Sequence, residues 1–359
     1  MGCWEISTDT LAGSRFVVSE LAETTASLLT LERGVASHPG ERDWLAAHRG
    51  AYQRRLAADP VTARLVREGY GVRWLADFLT PVPPDGGEAA GGAAGTAAGT
   101  DTTVARAPRF AEELRLVRET PPDLARQDLG APLGGPLGRP PGGQPPAELR
   151  RDDLPSRAAA LLGWVWAETV LPYWPRRARI IEADVVARTD QLVRGGWAAA
   201  LDRMRPGMRW LGGGRLQINT QDNPPRTIAD ARLLFVPVTS AKHGWVAWDR
   251  PAPGTGKRRR YAVVYPCAGA LADPERVPVP RALGALLGPV RARMLVLLDA
   301  PKSTSQLVAL TGQGLGSVGG HLRVLREAGL VRRRRSGRSV LYFRTAAGDA
   351  VVRAPSDGG

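Results

Sequence analysis

Cysteine is nearly absent. Cys3 and Cys267 are the only two in 359 residues, and they lie far apart without a CxxC spacing. Neither a disulfide framework nor a cysteine zinc site is therefore expected. Histidine is almost as sparse: the four residues His38, His48, His243 and His321 are dispersed, and no nucleophile-and-base motif or metal-ligand spacing forms around them. No run of about 18 apolar residues is present. The start, Met1 to Glu5, lacks the basic and apolar regions of a signal peptide. These gaps point to a cytoplasmic protein with no membrane partner, no metal and no cofactor.

What is present is positive charge, unevenly placed. The formal charge is +14. Residues 281 to 359 hold 13 Lys and Arg against 4 Asp and Glu, a balance of +9 that leaves +5 for the first 280. A C-terminal module built for a polyanion is the expectation. Residues 81–105 and 130–146 are Gly, Ala and Pro tracts with too few large side chains to offset ordering entropy, so they read as disordered insertions. Around them, Ser156 to Val170 and Arg177 to Met204 read as helices, with Ile181, Val185 and Leu192 at helical spacing. Short strands follow at Arg215 to Thr220, Leu233 to Val238, Trp245 to Asp249 and Tyr261 to Tyr265. The division expected is an α+β domain over 1–267 for effector binding or dimerisation, a Pro-stiffened linker over 268–280, a basic domain over 281–346 and a tail over 347–359.

The basic domain is the most legible part. Pro289 suits a first helical turn, and Val290, Met294, Leu297 and Leu298 follow at i, i+4, i+7 and i+8. Ser303 precedes Gln306 at capping-box spacing, and Leu307 and Leu310 give a second helix its buried stripe. Thr311 to Gly314 supplies the turn. Leu315 to Ala328 is then a third helix with Val318, Leu322 and Leu325 inward, which turns Ser317, Gly320, His321 and Arg323 outward. Leu330 to Arg335 and Arg338 to Phe343 read as a hairpin crowded by Arg332, Arg333, Arg334, Arg335 and Arg338. The expected fold is a winged helix-turn-helix, a three-helix core plus a β-hairpin wing. Its third helix is sized for the major groove and its wing suits phosphates.

Residues 285 to 350 resemble the winged helix of ArsR-type regulators: LLGPVRARMLVLL, STSQLVALTG, SVGGHLRVLREAGLV and SGRSVLYFRT match that pattern in order and spacing. Residues 1 to 280 resemble the uncharacterised domain that precedes such winged helices in high-GC bacteria, notably at LAGSRFVVSELAETTASL and IIEADVVARTDQLVRGGWAAAL. The resemblance implies a homodimer on double-stranded operator DNA, usually a repressor released by an effector. It places Ser317, Val318 and His321 among the recognition contacts, with Gln306 on the preceding helix and the arginines on the wing. Ser303 joins the expected DNA-binding set. Two departures stand out: Gly314 and Gly319 occupy positions where Ser is common.

Other readings stay open. ArsR-type metal sensors carry a cysteine pair in the second helix or His and Asp on the terminal one, whereas Thr304 to Leu310 has no Cys and Thr345 to Arg353 offers only Asp349. A metal-sensing repressor is disfavoured, and an unidentified small-molecule effector is the alternative. Residues 1–270 could be an enzyme with the winged helix as a tether, although no catalytic motif supports it, and a winged helix can also serve protein or RNA contacts. Lys257 to Arg260 fails as a phosphate loop, because Arg258 stands where Ser or Thr is needed, and reads as a solvated hairpin tip, with an accessory phosphate contact as the alternative. Among ten tryptophans, Trp164, Trp166, Trp174, Trp197, Trp210, Trp245 and Trp248 read mostly as core, with a sensory pocket among them as the alternative.

Overall fold

The computed structural model describes residues 2–36, 39–71, 74–84, 109–130, 145–202, 204–221, 223–240, 244–249, 258–267, 279–298, 301–311, 313–336 and 339–353. Most of the two expected insertions, most of the linker, Arg338 and the last six residues lie outside this set.

The chain opens with β1 (Cys3–Ile6), α1 (Thr8–Ala12) and β2 (Arg15–Phe16), then α2 (Glu20–Arg33). Ser19 caps α2 by accepting from the Ala22 amide, Glu20 and Glu23 occupy its first turn, and Gly34 ends it at φ 63°, the left-handed conformation that a helix stop favours. Residues 21 to 31 of α2 are buried throughout, so it is a central helix rather than an amphipathic surface one. Around it pack α3 (Pro39–Ala58), α4 (Pro60–Gly69), α5 (Arg109–Arg118), α6 (Pro122–Gly130) and α7 (Leu154–Val165). A π-helical turn over Trp166–Val170 and a 3-10 turn over Leu171–Tyr173 lead into α8 (Trp174–Leu201).

Strands then dominate: β3 (Arg209–Gly212), β4 (Arg215–Gln217), β5 (Arg226–Ile228), β6 (Ala231–Val238), β7 (Val246–Trp248) and β8 (Arg259–Pro266). One sheet runs β2-β6-β8-β7 and the other β3-β4-β1-β5. β6 pairs in parallel with both β2 and β8, and β7 is antiparallel to β8. The apolar run LLFVPV of β6 follows from burial on both faces. Leu234, Val236 and Val238 face the helices with Ala262 and Val264. Leu233 and Phe235 face the second sheet with Tyr261, Val263 and Tyr265, against Trp4, Ile6, Leu216 and Ile218. The N-terminal region is thus a mixture of helices and sheets.

The C-terminal elements are α9 (Arg281–Leu287), α10 (Pro289–Leu297), β9 (Lys302–Ser303), α11 (Thr304–Thr311), α12 (Leu315–Glu327), β10 (Val331–Ser336), β11 (Ser339–Arg344) and α13 (Ala346–Arg353). Gly288, at φ 79° and ψ 150°, separates α9 from α10. Met294, Leu295, Leu297 and Leu298 meet Leu307, Leu310, Val318, Leu322, Leu325 and Val331 in one core. The same core includes Ile180, Ile181 and Ala183 of α8, together with Cys267. These elements and α8 therefore pack as one unit.

Several expectations need correcting. The first insertion begins later than residue 81: Val82 is buried in the helical core, and the Pro83 carbonyl accepts from Arg260 at 3.1 Å. The second is narrower too, because Gly130 ends α6 and Pro146 leads into a 3-10 turn whose Leu149 is fully buried. Helix α8 is not continuous, since Gly196 sits at φ 64° and ψ −168°, where only glycine is at ease. Arg259 and Arg260 belong to β8, not a hairpin tip, and Arg260 is held by Asp249 at 2.6 Å. Residues 347–353 are helical rather than tail. Asp349 pairs with Arg344 at 2.9 Å, and a side chain at Gly348 would collide with the Leu330 carbonyl.

Candidate nucleic-acid interface

The site is built outward from α12. Its buried stripe, Val318, Leu322 and Leu325, sits at i, i+4 and i+7 and packs against α10 and α11. Each such leucine contributes about 1.5–3 kcal/mol by burial, so packing rather than intrinsic propensity holds a helix with three glycines in it. The opposite face is bare. Gly319, Gly320 and Arg323 are exposed and His321 is half-buried. The Ser317 hydroxyl lies on that face and donates to the Gln313 side chain at 3.2 Å. Arg323 reaches toward Glu327, 3.9 Å away, with both side chains largely in solvent; an exposed pair of this kind constrains the arginine little. A Cβ placed at Gly316, Gly319 or Gly320 would meet nothing within 4 Å.

The hairpin adds the charge. β10 and β11 are antiparallel, with Arg332 opposite Phe343, Arg333 opposite Tyr342, Arg334 opposite Leu341 and Arg335 opposite Val340. Because successive strand residues alternate faces, the four arginines project on both sides of the ribbon, and all four are exposed. Val331 and Leu341 anchor it in the core. Arg332 also rests over the Phe343 ring at 5.8 Å, a position that buries part of its stem while leaving its charge outward. β10 packs against α12, so the arginine ribbon adjoins the glycine-bearing helix. β9 extends the sheet by pairing Ser303 with Leu341.

Two residues of the expected contact set are not on this surface. Val318 is 0% exposed and is a core residue. A side chain that turns Leu322 and Leu325 inward at helical spacing turns Val318 inward as well. Ser303 is 8% exposed, held in β9. Gln306 lies within α11, but its side chain, like all of Arg338, falls outside the described residues. Ser317, Gly320, His321 and Arg323 lie on α12 outside its buried stripe, and Arg332 to Arg335 lie on the strand that packs against that helix.

The elements from α10 through the start of β10 are the part of the chain that a family comparison reaches. Residues 289–333 match the family model described as bacterial regulatory protein, arsR family. That arsR-type stretch is a helix-turn-helix of the kind found in DNA-binding transcription regulators. No curated protein and no solved structure matches the chain.

Among the described residues, no group of three or more His, Cys, Asp and Glu side chains is placed to hold a metal ion, and no helix is long and apolar enough to cross a membrane. Both cysteines are free thiols, and burial pushes that of Cys267 well up. The seven tryptophans singled out in the sequence pack in or against the two N-terminal cores. Trp44, which was not among them, lines a cavity.

Proposed function

We propose that this protein is a sequence-specific transcriptional regulator that binds double-stranded DNA as a homodimer, acting as a repressor released by a non-metal effector. In this reading α10, α11 and α12 are the three-helix core of a winged helix and the β10–β11 hairpin is its wing. Residues 281–346 form the DNA-binding domain. Residues 1–267 serve as the effector and dimerisation domain, not as an enzyme, and the protein works in the cytoplasm. The observation that carries it is the pairing of an unobstructed α12 face with four exposed arginines on the adjoining hairpin. The helix suits the major groove, where base edges are read, and the arginines suit phosphates. Ser317, Gly320, His321 and Arg323 are then the base-side positions.

Selection of bound fragments from random DNA by the full chain, at a stated salt concentration, tests this. The expected outcome is a sequence motif with two half-sites whose centres lie about 34 Å or a multiple apart on one face of the duplex. Recovery of fragments without a common motif overturns sequence-specific regulation, and protection of a single half-site overturns the dimer.

A further inference from the structure

A cavity of about 330 Å³ lies in the N-terminal region, lined by Ser27 and Thr30 of α2, Glu41, Asp43 and Trp44 of α3, Tyr173, Arg176, Arg177 and Ile180 around the start of α8, and Thr239 and Ser240. Thr239 and Ser240 directly follow β6, so the cavity opens at the carboxyl end of a strand with parallel neighbours on both sides. That is where open α/β sheets place ligands, and the volume suits a small molecule.

We infer that this cavity binds a neutral polyhydroxylated ring, the chemistry shared by monosaccharides and ribonucleosides, and that α8 conveys its occupancy to the helix-turn-helix. The first half rests on the wall. Its wall carries charges of both signs, Glu41 and Asp43 beside Arg176 and Arg177, so a simple anion or cation would meet like charge on one side. Arg177 is itself neutralised by the wholly buried Glu23 at 2.7 Å, donates to the Ser27 hydroxyl at 2.6 Å and lies over the Trp44 ring at 5.0 Å. Three of the lining hydroxyls have an acceptor for their proton as well. Ser240 donates to Glu41 at 3.1 Å, Thr30 to the Ala26 carbonyl at 3.1 Å, and Thr239 to Glu23. What those three oxygens still offer is lone pairs, which call for a ligand rich in donors. The exposed Asp43 and Arg176 supply the planar acceptor and donor groups that match adjacent hydroxyls. The rings of Trp44 and Tyr173 supply apolar area for the flat face of such a ring.

The second half rests on α8. Ile180 lines the cavity and also belongs to the core shared with Leu307 and Leu310 of α11. Arg177, one turn earlier, holds the buried carboxylate beside the cavity. A ligand that shifts this turn moves a wall of the helix-turn-helix, and a packed core answers by repacking rather than by bending. This half rests on the DNA-binding reading above; the first half does not.

Calorimetric titration of the full chain, without DNA, uses D-glucose, D-ribose, adenosine and uridine as probes, with acetate and the ethanolammonium cation as charged comparators, each to about 10 mM, beyond which affinity is weaker than about 3 kcal/mol. Saturable binding of a sugar or a nucleoside is expected, and which of the two binds identifies the source of the ring. Ser240→Leu should weaken it at least tenfold. Arg176→Ala, at an exposed position that leaves the fold intact, should weaken it severalfold. Failure of all four neutral probes, tighter binding of a charged comparator, or equal binding by both variants overturns the site. At saturation the DNA dissociation constant should change about tenfold, the usual size of such coupling. An unchanged constant overturns the coupling alone, and a chain that binds no DNA overturns the regulator reading while the titration still decides the site.

Discussion

At the scale of single residues, the glycines of α12 carry the most distinctive consequence. An interior helical glycine is less favourable than alanine by up to about 1 kcal/mol, and the space around Gly319 and Gly320 would accept a methyl group. Nothing in the protein's own packing demands glycine there. Gly320→Ala should therefore raise the melting temperature yet weaken DNA binding roughly tenfold, about 1.4 kcal/mol, if the bare backbone is there to approach DNA closely. A stabilised variant that binds its site more tightly and with the same selectivity would show that the glycine has no part in recognition. His48 supports a second prediction. Burial, and then the Arg177 charge, lower its pKa, with Glu168 opposing, and its ring bonds the Tyr173 hydroxyl at 3.2 Å. A folded-state pKa below the unfolded value of about 6.5 means that its contribution is fully present above that pH and is lost as pH falls through the folded value. Thermal melts between pH 7.5 and 5 should show a decline that His48→Gln reduces. Equal declines in both proteins would place the sensitivity elsewhere.

At the scale of elements, the arginine ribbon and the recognition-type helix should differ in how they fail. If the ribbon lies on phosphates as proposed, alanine at Arg333 or Arg334 should lower affinity by a similar factor on every sequence, with the log–log salt slope falling by about 1. A slope that does not change means that these side chains do not meet DNA. Arg323→Ala should instead relax base preference, by about 1–3 kcal/mol at one position. Much of this element map was legible because its signals are local: the apolar spacings of α10, α11 and α12, Pro289 at a helix start, and the arginine-flanked turn. What escaped is non-local. β2 and β5 are too short to have a period, and β9 exists only because β11 offers it an edge. α13 is fixed by the close approach of Gly348 to Leu330 and by the Arg344–Asp349 pair, neither of which is a sequence pattern. Val318 was read both as core and as contact, and its burial settles that in favour of core.

At the scale of the whole molecule, two compositional domains share one core. Periodicity marked Ile181 as facing something, yet no pattern within a helix names the partner, and the partner turns out to be the C-terminal unit. Ile180, Ile181, Ala183 and Cys267 complete the cluster around Met294 and Leu307, so part of the basic region's interior is closed from outside it. A fragment of residues 279–353 should accordingly be much less stable than the same elements in the full chain, with urea midpoints well apart. Ile181→Ala, remote from the arginines and fully buried, should cost about 2–5 kcal/mol and bring the C-terminal elements down with it. If the fragment melts where the full chain does, and Ile181→Ala leaves hydrogen exchange in α11 and α12 untouched, then α8 merely lies against a self-sufficient domain. If instead exchange in α11 and α12 accelerates, α8 is a structural member of the DNA-binding unit, and any event that moves its first turns must be felt at the helix-turn-helix.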